Sequence, residues 1–281
     1  MRKYLALIAL LAVLVLAACG SNSNENDSSE KTEGGQESAV LKVGASSTPH
    51  AEILEEAAPL LEEEGITLEI EPYEDYVLPN DDLANGDLDA NYFQHKPFLE
   101  ETIGNTGYEI ESIGGVHVEP MGVYSKNIKS VDDIQDGAEV ILSNSVADHA
   151  RILKLFEAEG LITLEENAEE ITLDSIVDNP KNLEFSPDYA PEILPELYLK
   201  EEDALVVINT NYAIGAELNP IDDALFIEGE ESDYVNIIAV RSEDKDNESL
   251  NKLVDVLQSE EIANFILENY EGAIVPAGGK K

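Results

Sequence analysis

VLKVGASSTPHAEILEEAAPLLEEEGITLEI, residues 40–70, decides the fold class. Val40 to Ala45 is a short apolar run of strand character. Thr48 stands before Pro49 as a helix N-cap, with proline at the first helical position, where its missing N–H costs nothing. Ile53, Leu54, Ala57, Leu60 and Leu61 then recur at helical spacing, and Gly65 stops the helix. Ile66, Leu68 and Ile70 alternate as a second strand. Strand, helix, strand in so short a span is a βαβ unit, which demands parallel pairing and a right-handed crossover. The class is therefore α/β.

Downstream, residues 72–79 read as a loop and Asn80–Asn85 as a short helix closed by Gly86. Next comes NYFQHKP, residues 91–97, followed by a helix over Phe98–Ile103. The heptapeptide holds two aromatic rings, an imidazole and two amides where a strand ends. It reads either as a buried strand end or as a wall for a small molecule with an apolar arm and a polar head. Residues 114–125 form a long extended run, of the kind that crosses between lobes. Ser130–Asp133 has the pattern of a capping box opening a helix that ends at Gly137. Glu139–Ser143 is a strand. A helix marked by Ile152, Leu153, Leu155 and Phe156 ends at Gly160, with Arg151 placed in its first turn. Residues 171–178 fit a strand or a short helix. Residues 190–199 are helical, Leu205–Ile208 is a buried strand ending at Asn209, and Asn236 opens another over Ile237–Val240. Two amphipathic helices, 249–258 and 259–269, follow.

Upstream, Arg2 and Lys3 precede an apolar run from Leu5 to Leu16, too short to span a bilayer. Leu16-Ala17-Ala18-Cys19 follows, and Cys19 is the single cysteine of the chain. The arrangement resembles a bacterial lipobox: a signal peptide over 1–18, with lipid carried on the Cys19 thiol. Residues 19–38 are poor in apolar groups and read as a tether. One cysteine excludes an intrachain disulfide and any cysteine-based metal site.

The formal charge is −44. That argues against nucleic acid and anionic surfaces as partners. Charge of this size repels itself and is relieved by salt, so the melting temperature is expected to rise with added NaCl. A steady fall would contradict this. The histidines, His50, His95, His117 and His149, form no HExxH, and P-loop, GxGxxG and GxSxG signatures are missing. No pair of acids is nominated for catalysis. Arg151 at a helix start would hold a carboxylate with its guanidinium and the helix N–H groups, or else pair with one of the many acids.

DYVLPN, GDLDANYFQHKPFL, HVEPMGVYSKNIKS, NPKNLEF, VINTNYA and SDYVNIIAVR, in that order, resemble the methionine-binding lipoprotein family, whose members serve methionine ABC importers. The resemblance runs from about Val40 to Pro276. It implies a two-lobed type II periplasmic-binding-protein fold with the ligand cleft between the lobes. The first lobe would hold 39–120 plus 237–281, and the second 121–236. It further implies an extracytoplasmic, lipid-anchored monomer that binds L-methionine and hands it to a permease and its ATPase, with no enzyme activity, cofactor or metal. Tyr92, Phe93, His95 and His117 would wall the side-chain pocket, Arg151 would grip the carboxylate, and Asn144, Asn209 and Asn236 would complete the polar contacts. Residues 144–153 depart from the family pattern at Asp148, in place of an Asn, and at Ile152, in place of a small residue. Those two positions keep D-methionine, a methionine-containing dipeptide or another apolar amino acid open as ligands. A non-transport surface lipoprotein is the remote alternative.

Overall fold

In the computed structural model, which describes residues 39–229 and 232–277, the chain builds two mixed sheets. The βαβ unit forms as its sequence requires. Strand β1 (Ala39–Ser46) pairs in parallel with β2 (Ile66–Tyr73), joined by helix α1 (Glu52–Glu63). Thr48 is extended, as an N-cap is, but its hydroxyl donates to the Glu52 carboxylate at 2.6 Å rather than capping a backbone N–H. Helix α2 (Leu78–Asn85) then leads into β3 (Ala90–His95), which lies parallel to β1 on its other side.

Helix α3 (Lys96–Thr106) and strands β4 (Ile110–Val118), β12 (Val235–Arg241) and β13 (Val275–Pro276) complete the first sheet, in the order β13-β4-β12-β3-β1-β2. Strand β12 runs antiparallel to both β3 and β4, setting Asn236 beside His95 on one side and His117 on the other. This register puts Val235 and Asn236 in the first sheet. One face of the sheet packs on α1, α7 (Glu248–Leu257) and α8 (Glu260–Tyr270) through Ile53, Leu61, Leu253 and Ile266. The other face covers Leu83, Leu88, Leu99 and Ile237.

The second sheet has the order β11-β5-β10-β6-β9, from β5 (Gly122–Tyr124), β6 (Glu139–Ser143), β9 (Glu184–Tyr189), β10 (Leu205–Ile208) and β11 (Phe226–Ile227). Helix α4 (Val146–Ala158) packs its apolar stripe beneath it, with Phe156 against Phe185 and Phe226. Helices α5 (Leu194–Lys200) and α6 (Thr210–Gly215) cover the opposite face. Residues 171–178 resolve into both expected forms, a 3-10 turn at Leu173–Ser175 and then β8 (Ile176–Asp178), which pairs with β7 (Thr163–Leu164). The expected capping box at Ser130 is a single 3-10 turn whose serine bonds the Asp133 side chain instead of a backbone N–H.

The chain passes from the first sheet to the second between β4 and β5, through Glu119, Pro120 and Met121, and returns between β11 and β12. The long extended run read from the sequence is this crossing. No helix among the described residues is long and apolar enough to cross a membrane.

Close packing within the first lobe is testable at Gly44 of β1. A Cβ there would stand 2.5 Å from Leu88 Cδ1 and 2.8 Å from Tyr73 Cε2. Gly44→Ala is therefore expected to cost about 1–3 kcal/mol by overpacking. Urea unfolding reads this, and an unchanged midpoint would contradict it.

Candidate functional site

The crossing segments and the facing ends of β3, α4 and α6 enclose one cavity. Its lining includes Tyr76, Phe93, His95, Phe98, Glu119, Asp148, Arg151, Asn209 and Asn236. Its volume of about 30 Å³ holds about two water molecules.

One wall is aromatic. Tyr76, Phe93 and Phe98 stand with ring centroids 5.8 to 6.0 Å apart. Tyr76 also packs on Tyr212 at 5.0 Å and donates from its hydroxyl to Asn211 Oδ1 at 2.6 Å, joining the two lobes. The two amides of the heptapeptide lie beside this wall and bond elsewhere. Gln94 and Asn91 form a buried network with Asn80 at 2.8 to 2.9 Å, and Asn91 donates to Pro79 O at 3.0 Å. The network ties Pro79 and Asn80, at the start of α2, to β3, and a satisfied buried network of this kind is rigid.

The other wall is ionic. The first turn of α4 carries Asp148, buried to 1% exposure. His95 caps α3, its Nδ1 accepting from Phe98 N–H at 3.2 Å, so its Nε2 carries the proton donated to Asp148 Oδ1 at 3.0 Å. Asn209 donates to Asp148 Oδ2 at 3.3 Å. Burial alone would push the Asp148 carboxyl up; His95, Arg151 and Asn209 outweigh it and hold it down at about 2.

Glu119 is likewise buried, accepting from His117 Nε2 at 2.8 Å and from Asn211 N–H at 3.2 Å. Burial opposes its charge, but the His50 and His117 rings and the Asn211 amide keep it below the usual carboxylate range. Arg151 donates from Nη2 to Glu119 O at 2.9 Å and to the Glu228 carboxylate, with Nη1 3.6 Å from Asp148 Oδ1. Its guanidinium carbon lies 4.4 Å from the Tyr234 ring centroid, and its buried Nε–H has no partner among the described residues. The cavity thus presents a guanidinium, two ionised carboxylates and an aromatic wall.

Of the residues expected from sequence, Phe93, His95, Arg151, Asn209 and Asn236 meet in this cavity. Tyr92 and His117 sit one layer behind it, the Tyr92 hydroxyl donating to His117 Nδ1 and His117 in turn orienting Glu119. Asn144 is exposed between β6 and α4 and is absent from the lining. Helix α4 begins at Val146, which moves Arg151 to the second turn and gives the first to Asp148. Ile152 points into the core of the second lobe, so it takes no space from a ligand. Cys19 lies outside the described residues. Glu119, Tyr76, Phe98 and Glu228 were not singled out by the sequence. Glu119 follows His117 in the HVEP motif, but one acid among 60 Asp and Glu carries no signal of its own.

This geometry has relatives. The profile of the family described as NlpA lipoprotein matches residues 41–278. The methionine-binding lipoprotein MetQ of Bacillus subtilis is 46% identical over 280 residues, 98% of each chain. A crystal structure of a pheromone cOB1 precursor/lipoprotein of the YaeC family from Enterococcus faecalis is 50% identical, with a TM-score of 0.83, covering 85% of this chain and 100% of that one. A nutrient binding protein from Burkholderia cenocepacia, solved bound to methionine, is 38% identical with a TM-score of 0.79, covering 84% and 99%. With two lobes around one cleft, and with the family profile covering residues 41–278 and the Bacillus relative covering 98% of the chain, the protein belongs to the NlpA lipoprotein family.

Proposed function

We propose that the protein captures L-methionine between its lobes and delivers it to the permease and ATPase of an ABC importer. It does so as a monomer, held by lipid on Cys19 at the outer face of the cytoplasmic membrane. Its role is binding, not catalysis. The observation that carries the reading is the meeting of Arg151, two ionised carboxylates and three aromatic rings in a single cavity. The ligand ammonium is set against Glu119 and Asp148, and the carboxylate against Arg151. An Asn amide serves both ends of a zwitterion, which suits Asn209 and Asn236. The thioether is set against the wall of Tyr76, Phe93 and Phe98, where sulfur–aromatic contacts add about 0.3–1.5 kcal/mol each. The names of the Bacillus relative and the methionine-bound Burkholderia structure support the same ligand.

The lobes divide at 120/121 and ahead of Val235, a reading supported by the sorting of the strands into two sheets at those points. Closure follows ligand because the closed form makes contacts to it that the open form lacks. A competition panel of L-methionine, D-methionine, methionine dipeptides and leucine tests specificity. L-methionine is expected to displace the others, and preference for a dipeptide or for the D-enantiomer would overturn that part of the reading.

A further inference from the structure

Helix α4 carries both Asp148 and Arg151, yet its N-terminus has no cap of its own. Ser145 occupies the N-cap position without a side-chain cap hydrogen bond, and its buried hydroxyl has no partner among the described residues. A helix start leaves its first N–H groups without intrahelical partners. One of them is satisfied from the opposite lobe: Ala147 N–H donates to Glu101 Oε2 at 2.8 Å. Glu101 lies on α3, the helix capped by His95, and His95 reaches Asp148 at 3.0 Å. Helix α3 therefore grips the first turn of α4 at two points, one by each residue. The His95 contact lies inside the cavity, whereas Glu101 is no part of its lining.

We propose that Glu101 is a positioning residue for ligand capture: a cap supplied across the cleft that exists only when the lobes are closed, and that seats Asp148 and Arg151 for the ligand. The inference rests on the capture reading above. A carboxylate on a free helix start is favoured by the N–H groups and by the helix dipole together. When the lobes part, α4 loses this cap and water takes its place. The contact thus favours the closed form selectively, which is what a bound ligand needs if it is to be retained.

The test uses the full chain, ligand-stripped, with methionine as the probe. Glu101→Ala is expected to weaken methionine binding by about 5- to 20-fold, the range a lost helix cap allows, chiefly through faster release. The melting temperature of the ligand-free protein should stay essentially unchanged. Adding Ser145→Asp to Glu101→Ala supplies a cap within α4 that is present in open and closed forms alike, so it should leave the lost affinity unrestored. Wild-type affinity and release in Glu101→Ala would overturn the proposal. So would full rescue by Ser145→Asp, which would make Glu101 only a helix cap. Failure of the wild-type protein to bind methionine would sink the capture reading instead. In the methionine-bound protein the Ala147 N–H should exchange more slowly in the wild type than in Glu101→Ala, and equal rates there would overturn the latch.

Discussion

Replacing Arg151 by Ala is expected to lower methionine affinity by at least about 1.5–3 kcal/mol, roughly 10- to 100-fold, the worth of a charge-assisted hydrogen bond. It should also destabilise the ligand-free protein by about 3–5 kcal/mol, as when one partner of a buried ion pair is removed. Both effects come from the same surroundings. The guanidinium is 5% exposed and is shared among the Glu119 carbonyl, the Glu228 carboxylate and, at 3.6 Å, Asp148. Its removal leaves buried negative charge with no counter-ion. Arg151→Lys should recover part of the stability but less of the affinity, since an ammonium keeps the charge and loses the planar fork that suits a carboxylate. Calorimetry and urea unfolding on the same samples separate the two effects. Loss of stability at unchanged affinity would make Arg151 a structural counter-ion and remove it from the ligand site.

The second large effect is acid sensitivity through His50. Its ring is 1% exposed, packs edge-on to Tyr92 at 4.7 Å, and sets Nε2 3.0 Å from Asn236 Oδ1 and 3.3 Å from Glu119 Oε1. Its Nδ1 is buried without a partner among the described residues, so a second proton there would have nothing to donate to. Burial pushes the imidazole down to about 4; Glu119 opposes the shift and His117 adds to it. The folded state therefore binds this proton more weakly than the unfolded chain does. The stabilisation is complete above about pH 6.5 and is lost as pH falls from there to about 4, amounting to about 3 kcal/mol. Asp148 acts in a separate, lower window. Its carboxyl is held at about 2, so its contribution is full above the ordinary carboxylate range and lost only on further acidification. Stability measured against pH for the wild type and His50→Gln should show the steeper fall between pH 6.5 and 4 in the wild type. Parallel curves would rule His50 out as the source.

The parts of the fold that rest on periodic burial were legible in the sequence. The Ile53–Leu61 stripe, the alternation from Ile66 to Ile70 and the apolar run at Leu205–Ile208 each match one element, since each pattern reports which side meets the core. Helix starts were less legible because side-chain caps are optional. Thr48 and Ser130 found side-chain partners instead of backbone N–H groups, and α4 took its cap from another lobe. Within the site, Phe93, His95 and Arg151 stood out by residue type and position, whereas Asn209 and Asn236 were reached through the family resemblance of their motifs. Tyr76 and Glu119 were hidden for different reasons. Tyr76 enters the cavity from the loop ahead of α2, and its partners there, Phe93, Phe98, Asn211 and Tyr212, are distant in sequence. Glu119 becomes special only where the crossing segment brings it under His117 and Asn211. Neither fact has a local pattern. Asp148 was noticed as a departure, and the structure shows what it does. It is the acceptor on which His95 and Asn209 converge, leaving Arg151 its nearest cation at 3.6 Å.

Calorimetric titration of the ligand-stripped protein with L-methionine tests the central claim most directly. One-site binding at sub-micromolar affinity, lost in Arg151→Ala, is the predicted result. No heat with methionine, alongside clear binding of a different amino acid or dipeptide, would contradict methionine as the ligand and turn attention to Asp148. No binding by any zwitterion would contradict capture itself.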